Sequence, residues 1–265
     1  MTLQLAAQNF SLVLAMVSAL WMVSVFRRDV SIIDPWWSIA FLLVTAHSVV
    51  ATGLGNAKLV LLMLVAVWAL RLWLHLLVRS HGQPEDARYA AFRVRFGAKR
   101  YWWFSFFQVF LLQGCLAFVI SAPLQLSASA SPADSLSWLD WVGFALIAVG
   151  FGFEAIGDAQ LLSFQRNKES RGRVLDTGLW RYTRHPNYFG ECVLGWGFWI
   201  CALDQPLGWV TIFAPALMTF LLLKVSGVAM LDAHLTSSKP GYREYIQRTS
   251  AFFPRRPRAT SPSTP

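Results

Sequence analysis

The run from Leu3 to Phe26 contains no charged residue, and six further stretches repeat its apolar character: Ser31 to Thr52, Ala57 to Val78, Phe104 to Pro123, Trp138 to Leu161, Pro186 to Leu203 and Gly208 to Met230. Each is near the roughly 20 residues that a helix needs to cross a bilayer, the sixth being the shortest. A chain with mean hydropathy +0.46 and only 14% charged residues has too little polar surface for a water-soluble domain of this size. The expected fold is therefore all-α: a polytopic membrane bundle of about seven transmembrane helices, forming a single domain over residues 1–258 with a disordered tail at 259–265.

Charge distribution orients that bundle. Of the 23 Lys and Arg, twenty lie in three groups: Arg27 and Arg28 with Arg79 to Arg100, Arg166 to Arg184, and Lys239 to Arg258. The alternate loops carry only Lys58. By the positive-inside rule the N-terminus is outside and the C-terminus cytoplasmic. The first stretch has no basic residue ahead of it and is followed by Arg27 and Arg28, so it reads as a span rather than a cleaved signal. The formal charge of +9 then follows from topology first and attraction to membrane lipids second, with no call for nucleic acid as a partner. Cys115, Cys192 and Cys201 lie in spans without metal-ligand spacing, so no metal site is expected.

No internal repeat is evident. Ser127 to Ser137 and the Pro/Ser-rich end are low in complexity and are expected to be mobile. In the third loop, Pro84, Glu85 and Asp86 provide helix-start chemistry and Gly97 a stop, predicting a short helix over Arg88 to Phe96 on the inner surface, with Tyr101, Trp102 and Trp103 in the aromatic belt. Past the seventh span, Gly241 to Pro254 places Tyr242, Tyr245 and Ile246 on one helical face, the pattern of a docked cytoplasmic cap.

Several ionisable residues fall inside apolar segments: Asp34, Arg71, His75, Glu154, Asp158, Glu191 and Lys224. Each costs about 2.5 to 3.5 kcal/mol if it faces lipid at mid-bilayer, so they must face one another or water. Arg71 and His75 are four residues apart, as are Glu154 and Asp158, which puts each pair on one helix face. All seven fall in the inner half of their spans and describe a polar vestibule open to the cytoplasm; ion pairs that merely hold helices together are the structural alternative. His47, in the outer half, suits a bond to a neighbouring helix.

The vestibule converges on GLWRYTRHPNYFGE, Gly178 to Glu191, where Arg181, Arg184, His185 and Asn187 can all donate hydrogen bonds and Pro186 suits a first helical turn. Such a helix start favours anions. With Arg166, Lys168, Arg171 and Arg173 upstream, the cations suffice for a diphosphate and a further ribose phosphate. Asp158, Asp176 and Glu191 can accept from ribose hydroxyls or a carboxamide. No Gly-x-Gly-x-x-Gly follows a strand, so a nucleotide would bind within the helical bundle.

That run, the preceding Glu154-x-x-x-Asp158 with its basic loop, and Tyr242-x-x-Tyr245 to Pro254 resemble the steroid 5α-reductase and sterol reductase superfamily, in particular its bacterial branch with a domain of unknown function. The likeness is strong over about Gly152 to Pro254 and weaker over Asp34-Pro-Trp-Trp and Trp68 to Glu85. It implies a seven-span enzyme of the bacterial inner membrane that holds NADPH in a cytoplasm-facing cavity and reduces a carbon–carbon double bond, usually conjugated to a carbonyl, in a steroid-like or other lipid-like small molecule. Matching positions imply that Asp158, Asn187 and Glu191 contact the cofactor, with Arg173, Arg184 and His185 around its phosphates or amide. Glu154, Tyr188, Tyr242 and Tyr245 are expected to bind the cofactor alongside them. Glu154 stands where the reductases carry asparagine.

The substrate half departs from the family: a glutamate on span two and a tyrosine on span three are replaced by Asp34 and by Arg71 with His75. The expected catalytic residues are His75 as donor to the developing enolate oxygen, Asp34 to orient it, and Arg71 as the alternative donor. Membrane methyltransferases of the isoprenylcysteine and phospholipid types share an RHPxYxG-type junction and use S-adenosylmethionine, which is a second reading. A non-enzymatic bundle, such as a transporter or assembly factor, is a third.

Overall fold

The computed structural model describes residues 1–131, 135–225, 228, 232, 235–236 and 238–258; the expected tail at 259–265 lies outside them. Among the described residues there are helices and no strand, only an isolated bridge between Thr183 and Ser250. Among the described residues five helices are long and apolar enough to cross a membrane: Leu3–Arg27, Asn56–Ser80, Lys99–Ile120, Trp138–Arg166 and Gly208–Val225, and Trp36–Thr52 is a shorter apolar helix. The chain divides into two compact units, Met1–Trp141 with Trp199–Ala214, and Val142–Phe198 with Pro215–Pro265.

In the first unit α1 (Leu3–Arg27) is capped by the Thr2 hydroxyl and ends at Arg28 in the left-handed region, φ 54°. Then follow α2 (Trp36–Thr52), α3 (Asn56–Ser80), α4 (Ala87–Phe96) and α5 (Ala98–Ser105). A π-helical turn at Phe106–Leu111 carries α5 into α6 (Leu112–Ile120), and α7 (Ala122–Ala128) follows. Helix α2 is the centre, packing on α1, α3, α6 and α7.

Its position is fixed by polar as well as apolar side chains. Asn9 Nδ2 donates to Ser48 Oγ at 2.9 Å and to Gln125 Oε1 at 3.0 Å, while Asn9 Oδ1 lies 2.7 Å from His47 Nδ1. Asn9, Ser48 and Gln125 are buried, so α1, α2 and α7 are tied where no water competes. Such interhelical bonds contribute about 0.6 kcal/mol each on average in a membrane, but their directionality selects one packing. His47 thus bonds to a neighbouring helix, as its place in the sequence suggests.

The fourth apolar stretch does not run through to Pro123. Helix α6 stops at Ile120, and Pro123 sits in the first turn of α7, where its missing N–H costs nothing. Ser127 and Ala128 belong to that helix and are buried, so the serine-rich piece is ordered at its start, contrary to expectation; residues 132–134 of it lie outside the described residues. The surface helix is found at Ala87–Phe96, with Asp86 as N-cap and Gly97, φ 78°, as its stop.

The second unit holds residues 142–166 of α8 (Trp138–Arg166), residues 186–198 of α9 (Pro186–Ala202), most of α10 (Phe213–Phe220) with a π-helical turn at Leu221–Val225, and α11 (Tyr242–Arg248). Glycines set the approach of α8 to α9. A Cβ on Gly150 would stand 2.5 Å from Gly190 O and 2.6 Å from Leu194 N, and one on Gly197 would stand 2.9 Å from Gly143 O. Gly143, Gly150 and Gly157 are spaced by seven, as are Gly190 and Gly197, so two backbones meet along a seam with no side chain between them.

Candidate functional site

The site in the second unit is built where the chain leaves α8, turns through a basic loop, and enters α9. Gly178, φ 59°, permits the turn into a 3₁₀ segment, Gly178–Arg181, and Gln160 Oε1 on α8 accepts from Leu179 N at 3.0 Å. Trp180 Nε1 donates to Gly157 O at 3.0 Å, which fastens the loop to α8. The C-terminal cap closes on it from the other direction: Arg184 N donates to Ser250 O at 2.9 Å, Thr183 Oγ1 to Phe252 O at 2.7 Å, and Tyr245 Oη to Trp180 O. An ion pair joins Arg248 to Asp176. The expected cap is a docked element, and both Tyr242 and Tyr245 are buried.

Asp232 is the hub of this junction. Its carboxylate accepts from Arg184 Nη2 at 2.6 Å and Nε at 3.3 Å and from Tyr242 Oη at 2.6 Å, with His185 Nε2 at 3.2 Å. Burial alone would raise its pKa, but the hydrogen bonds from His185, Arg184 and Tyr242 outweigh it and hold the carboxyl well below the ordinary carboxylate range. Burial, with the Asp232 carboxylate alongside, pushes the Tyr242 phenol up. Arg184 also donates to Thr249 O at 2.7 Å and Ile246 O at 3.3 Å, so its guanidinium is spent within the protein. The His185 ring stacks on Tyr188, 5.6 Å between centroids.

At the second residue of α9 stands a different arrangement. Asn187 Nδ2 donates to Asp158 Oδ1 on α8 at 3.0 Å, while the buried Asn187 Oδ1 has no hydrogen-bond partner among the described residues. Glu154, one turn before Asp158, is buried as well, and Glu191 follows Asn187 by one turn of α9 at a half-buried position. Gly157 lets Asn187 come this near, since a Cβ there would stand 3.1 Å from Asn187 N. The five loop cations Arg166, Lys168, Arg171, Arg173 and Arg181 are all exposed, and Arg173 O accepts from Lys239 Nζ at 3.1 Å.

A family described as "Protein of unknown function (DUF1295)" matches residues 20–249. The chain belongs to this family. An uncharacterised protein of Schizosaccharomyces pombe is 26% identical over 270 residues, covering 90% of the chain and 76% of that relative. No solved structure matches. The family match takes in the junction's side chains from Glu154 to Arg248, and ends just before the Ser250 and Phe252 carbonyls that accept from Arg184 and Thr183.

The remaining expected site residues of this DUF1295 chain lie in the first unit. Arg71 and His75 sit one turn apart on α3, both half-buried. Asp34 precedes α2 and accepts from Tyr89 Oη at 2.6 Å and Arg88 Nη2 at 3.2 Å, with Gln113 Nε2 donating to Tyr89 Oη at 2.9 Å. Glu85 accepts from Val30 N at 2.9 Å and from Arg93 at 2.7 and 3.0 Å, which pins α4 to the turn after α1. Burial, with Asp34 next to it, raises the Tyr89 phenol.

Sequence reasoning singled out neither Asp232 nor Tyr89. Asp232 did carry a signal, as the sole acid between Asp204 and Glu244 in a chain where basic groups crowd that end. Tyr89 carried none, because a tyrosine on an amphipathic surface helix reads as a belt residue.

Proposed function

We propose that this protein is a membrane-embedded, NADPH-dependent reductase of a carbon–carbon double bond, of the enone type, in a steroid-like or other lipid substrate. The observation that carries the reading is the Asp158–Asn187 pair. A buried amide oxygen without a partner loses the full value of its hydration, about 1–3 kcal/mol, unless a ligand donates to it. The carboxamide N–H of a nicotinamide is a donor of the right kind. Glu154 and Glu191 stand one turn to either side and can take ribose hydroxyls. The pyrophosphate and ribose phosphate fall to the exposed cations Arg166, Lys168, Arg171, Arg173 and Arg181, because the donors of Arg184 and His185 are directed to Asp232. Bound there, NADPH supplies the hydride. His75 is the proton-donating group of this reading, with Arg71 as the alternative and Asp34 as a positioning residue.

The same reading takes the chain as seven crossings of a bacterial inner membrane, N-terminus outside, with the basic loops and the cap in the cytoplasm. The five long apolar helices and the distribution of Lys and Arg support it. Reporter fusions at residues 54, 134, 205 and 258 test it; the last alone should report cytoplasm.

A second reading, methyl transfer from S-adenosylmethionine, is favoured by one specific observation: Arg184 and His185, just ahead of Asn187 in the chain, are both directed to Asp232, as suits a cofactor without phosphate. Titrating the detergent-purified protein with each compound, and identifying by absorbance and mass any nucleotide that copurifies, decides between them. Saturable NADPH binding with no response to S-adenosylmethionine supports reduction; the reverse overturns it.

A further inference from the structure

The first unit contains a cavity of about 210 Å³ that plays no part in the reading above. It lies where α2 gives way to α3, and its described lining includes Lys58, Ser127, Ser131, Asp140, Asp204 and Gln205. Lys58 is 3% exposed, and its ammonium donates to Thr52 Oγ1 at 2.8 Å and to Gly53 O at 3.0 Å, both neutral oxygens. A cation so far from water is costly unless an anion accompanies it. The opposite charge lines the same cavity: Asp140 accepts from Ser137 N at 2.9 Å, and Asp204 accepts from the Ser137 hydroxyl, again neutral donors. Thus the lining carries one buried cation and two carboxylates, Asp140 half-buried and Asp204 exposed, and among the described residues their hydrogen bonds run to uncharged groups.

Size and surroundings narrow what can enter. At about 210 Å³ the cavity is below the roughly 300 Å³ at which drug-sized pockets begin, so it takes a small polar group and neither a nucleotide nor a whole lipid. Around it Trp138, Trp141 and Trp209 are more than 60% exposed, the placing of indoles at a membrane–water boundary.

We propose that this cavity binds a small zwitterion carrying a phosphate and an ammonium, the phosphate on Lys58 and the serine hydroxyls, the ammonium between Asp140 and Asp204. The exposed indoles indicate the headgroup of phosphatidylethanolamine as its source, rather than free phosphoethanolamine.

The test is titration of the detergent-purified full chain with short-chain phosphatidylethanolamine, with phosphatidylglycerol of equal chain length, and with phosphoethanolamine, read by tryptophan fluorescence. Expected is saturable binding of phosphatidylethanolamine at least tenfold tighter than of phosphatidylglycerol. Asp140→Asn with Asp204→Asn should remove that preference, and Lys58→Met should weaken both lipids at least tenfold. Because Lys58 also ties the end of α2, Ala130→Trp serves as a variant that fills the cavity and keeps the lysine; it should abolish the response while the thermal transition is retained. Tighter binding of phosphoethanolamine than of the lipid keeps the site and assigns it to a soluble ligand. Equal affinity for the two lipids in the wild type, or full binding by Ala130→Trp, overturns the proposal. The residues concerned all belong to the first unit, so NADPH titration of the same variants stays at wild-type affinity and keeps this test distinct from that of the reductase reading.

Discussion

Two polar centres stand within a few residues of one another on the chain, and they resolve opposite ways. At the first, Asp232 collects Arg184, His185 and Tyr242, and Arg184 spends its remaining donors on the carbonyls of Ile246 and Thr249. At the second, Asn187 gives one amide hydrogen to Asp158 and keeps a buried oxygen without a donor among the described residues. A closed network rigidifies and stabilises; an open acceptor costs stability and is worth retaining only for something that binds. The most basic part of the RHPN run is therefore framework, and the residue right after its proline is where a donor from outside the chain would gain a bond.

Removing the hub should have the largest effect. Asp232→Ala leaves the Arg184 cation buried without its carboxylate, and breaking a buried pair in this way costs about 3 kcal/mol or more. The thermal transition of the purified protein should fall sharply, and the cap should become sensitive to protease near Arg248. Asn187→Ala, by contrast, takes one neutral donor from Asp158 and should lower the transition far less. If the two variants lose equal stability, the division into framework and binding centre is wrong.

The seam beneath both centres comes next. Gly190→Ala places a methyl group against the backbone at Gly150 and Glu154, and forcing α8 from α9 should cost about 2 kcal/mol, within the range for overpacked cores. Because Gly157 and Asn187 ride on the same seam, NADPH affinity should drop together with stability. A stable Gly190→Ala protein with intact helix content would show that the two helices part without cost.

Asn187→Ala sharpens the contrast with a smaller but more specific change. Loss of its hydrogen bonds should weaken NADPH by roughly tenfold, or ~1.4 kcal/mol, in a fluorescence titration. Arg184→Lys, which keeps charge but not the forked donors, should act on the thermal transition and spare affinity. Should Arg184→Lys weaken NADPH more than Asn187→Ala does, the cation belongs to the ligand after all.

Much of the fold was legible beforehand because its causes are local. Pro186 opens a helix, and Asp86 and Gly97 start and stop the surface helix between them; hydropathy alone located the long helices to within a few residues. What escaped depends on who faces whom. The glycines spaced by seven on α8 and α9 are small residues until their partners are known, and Asn9 with Gln125 is a buried pair only once α1 and α7 meet. At the site, residue types pointed to a junction rich in hydrogen-bond donors, but not that Asp232 would take Arg184 and His185 for itself. A carboxylate 47 residues along the chain from His185 leaves no trace in the spacing of the motif.

Acidification should produce the smallest effect over most of its range, and its sign follows from Asp232. The folded pKa of this carboxyl lies below its unfolded value of about 4, so the folded state prefers the ionised form. Its contribution to stability is fully present above about pH 5, where both states are ionised, and is lost as pH falls through the unfolded value toward the folded one. Between pH 7 and 5 the thermal transition should therefore stay level on this account, and below about pH 4 it should descend. In Asp232→Asn the descent should be shallower, because no proton is taken up at that position on unfolding. The same slope in both proteins would move the acid sensitivity elsewhere and reduce Asp232 from hub to bystander, leaving Arg184 held by the Ile246 and Thr249 carbonyls alone.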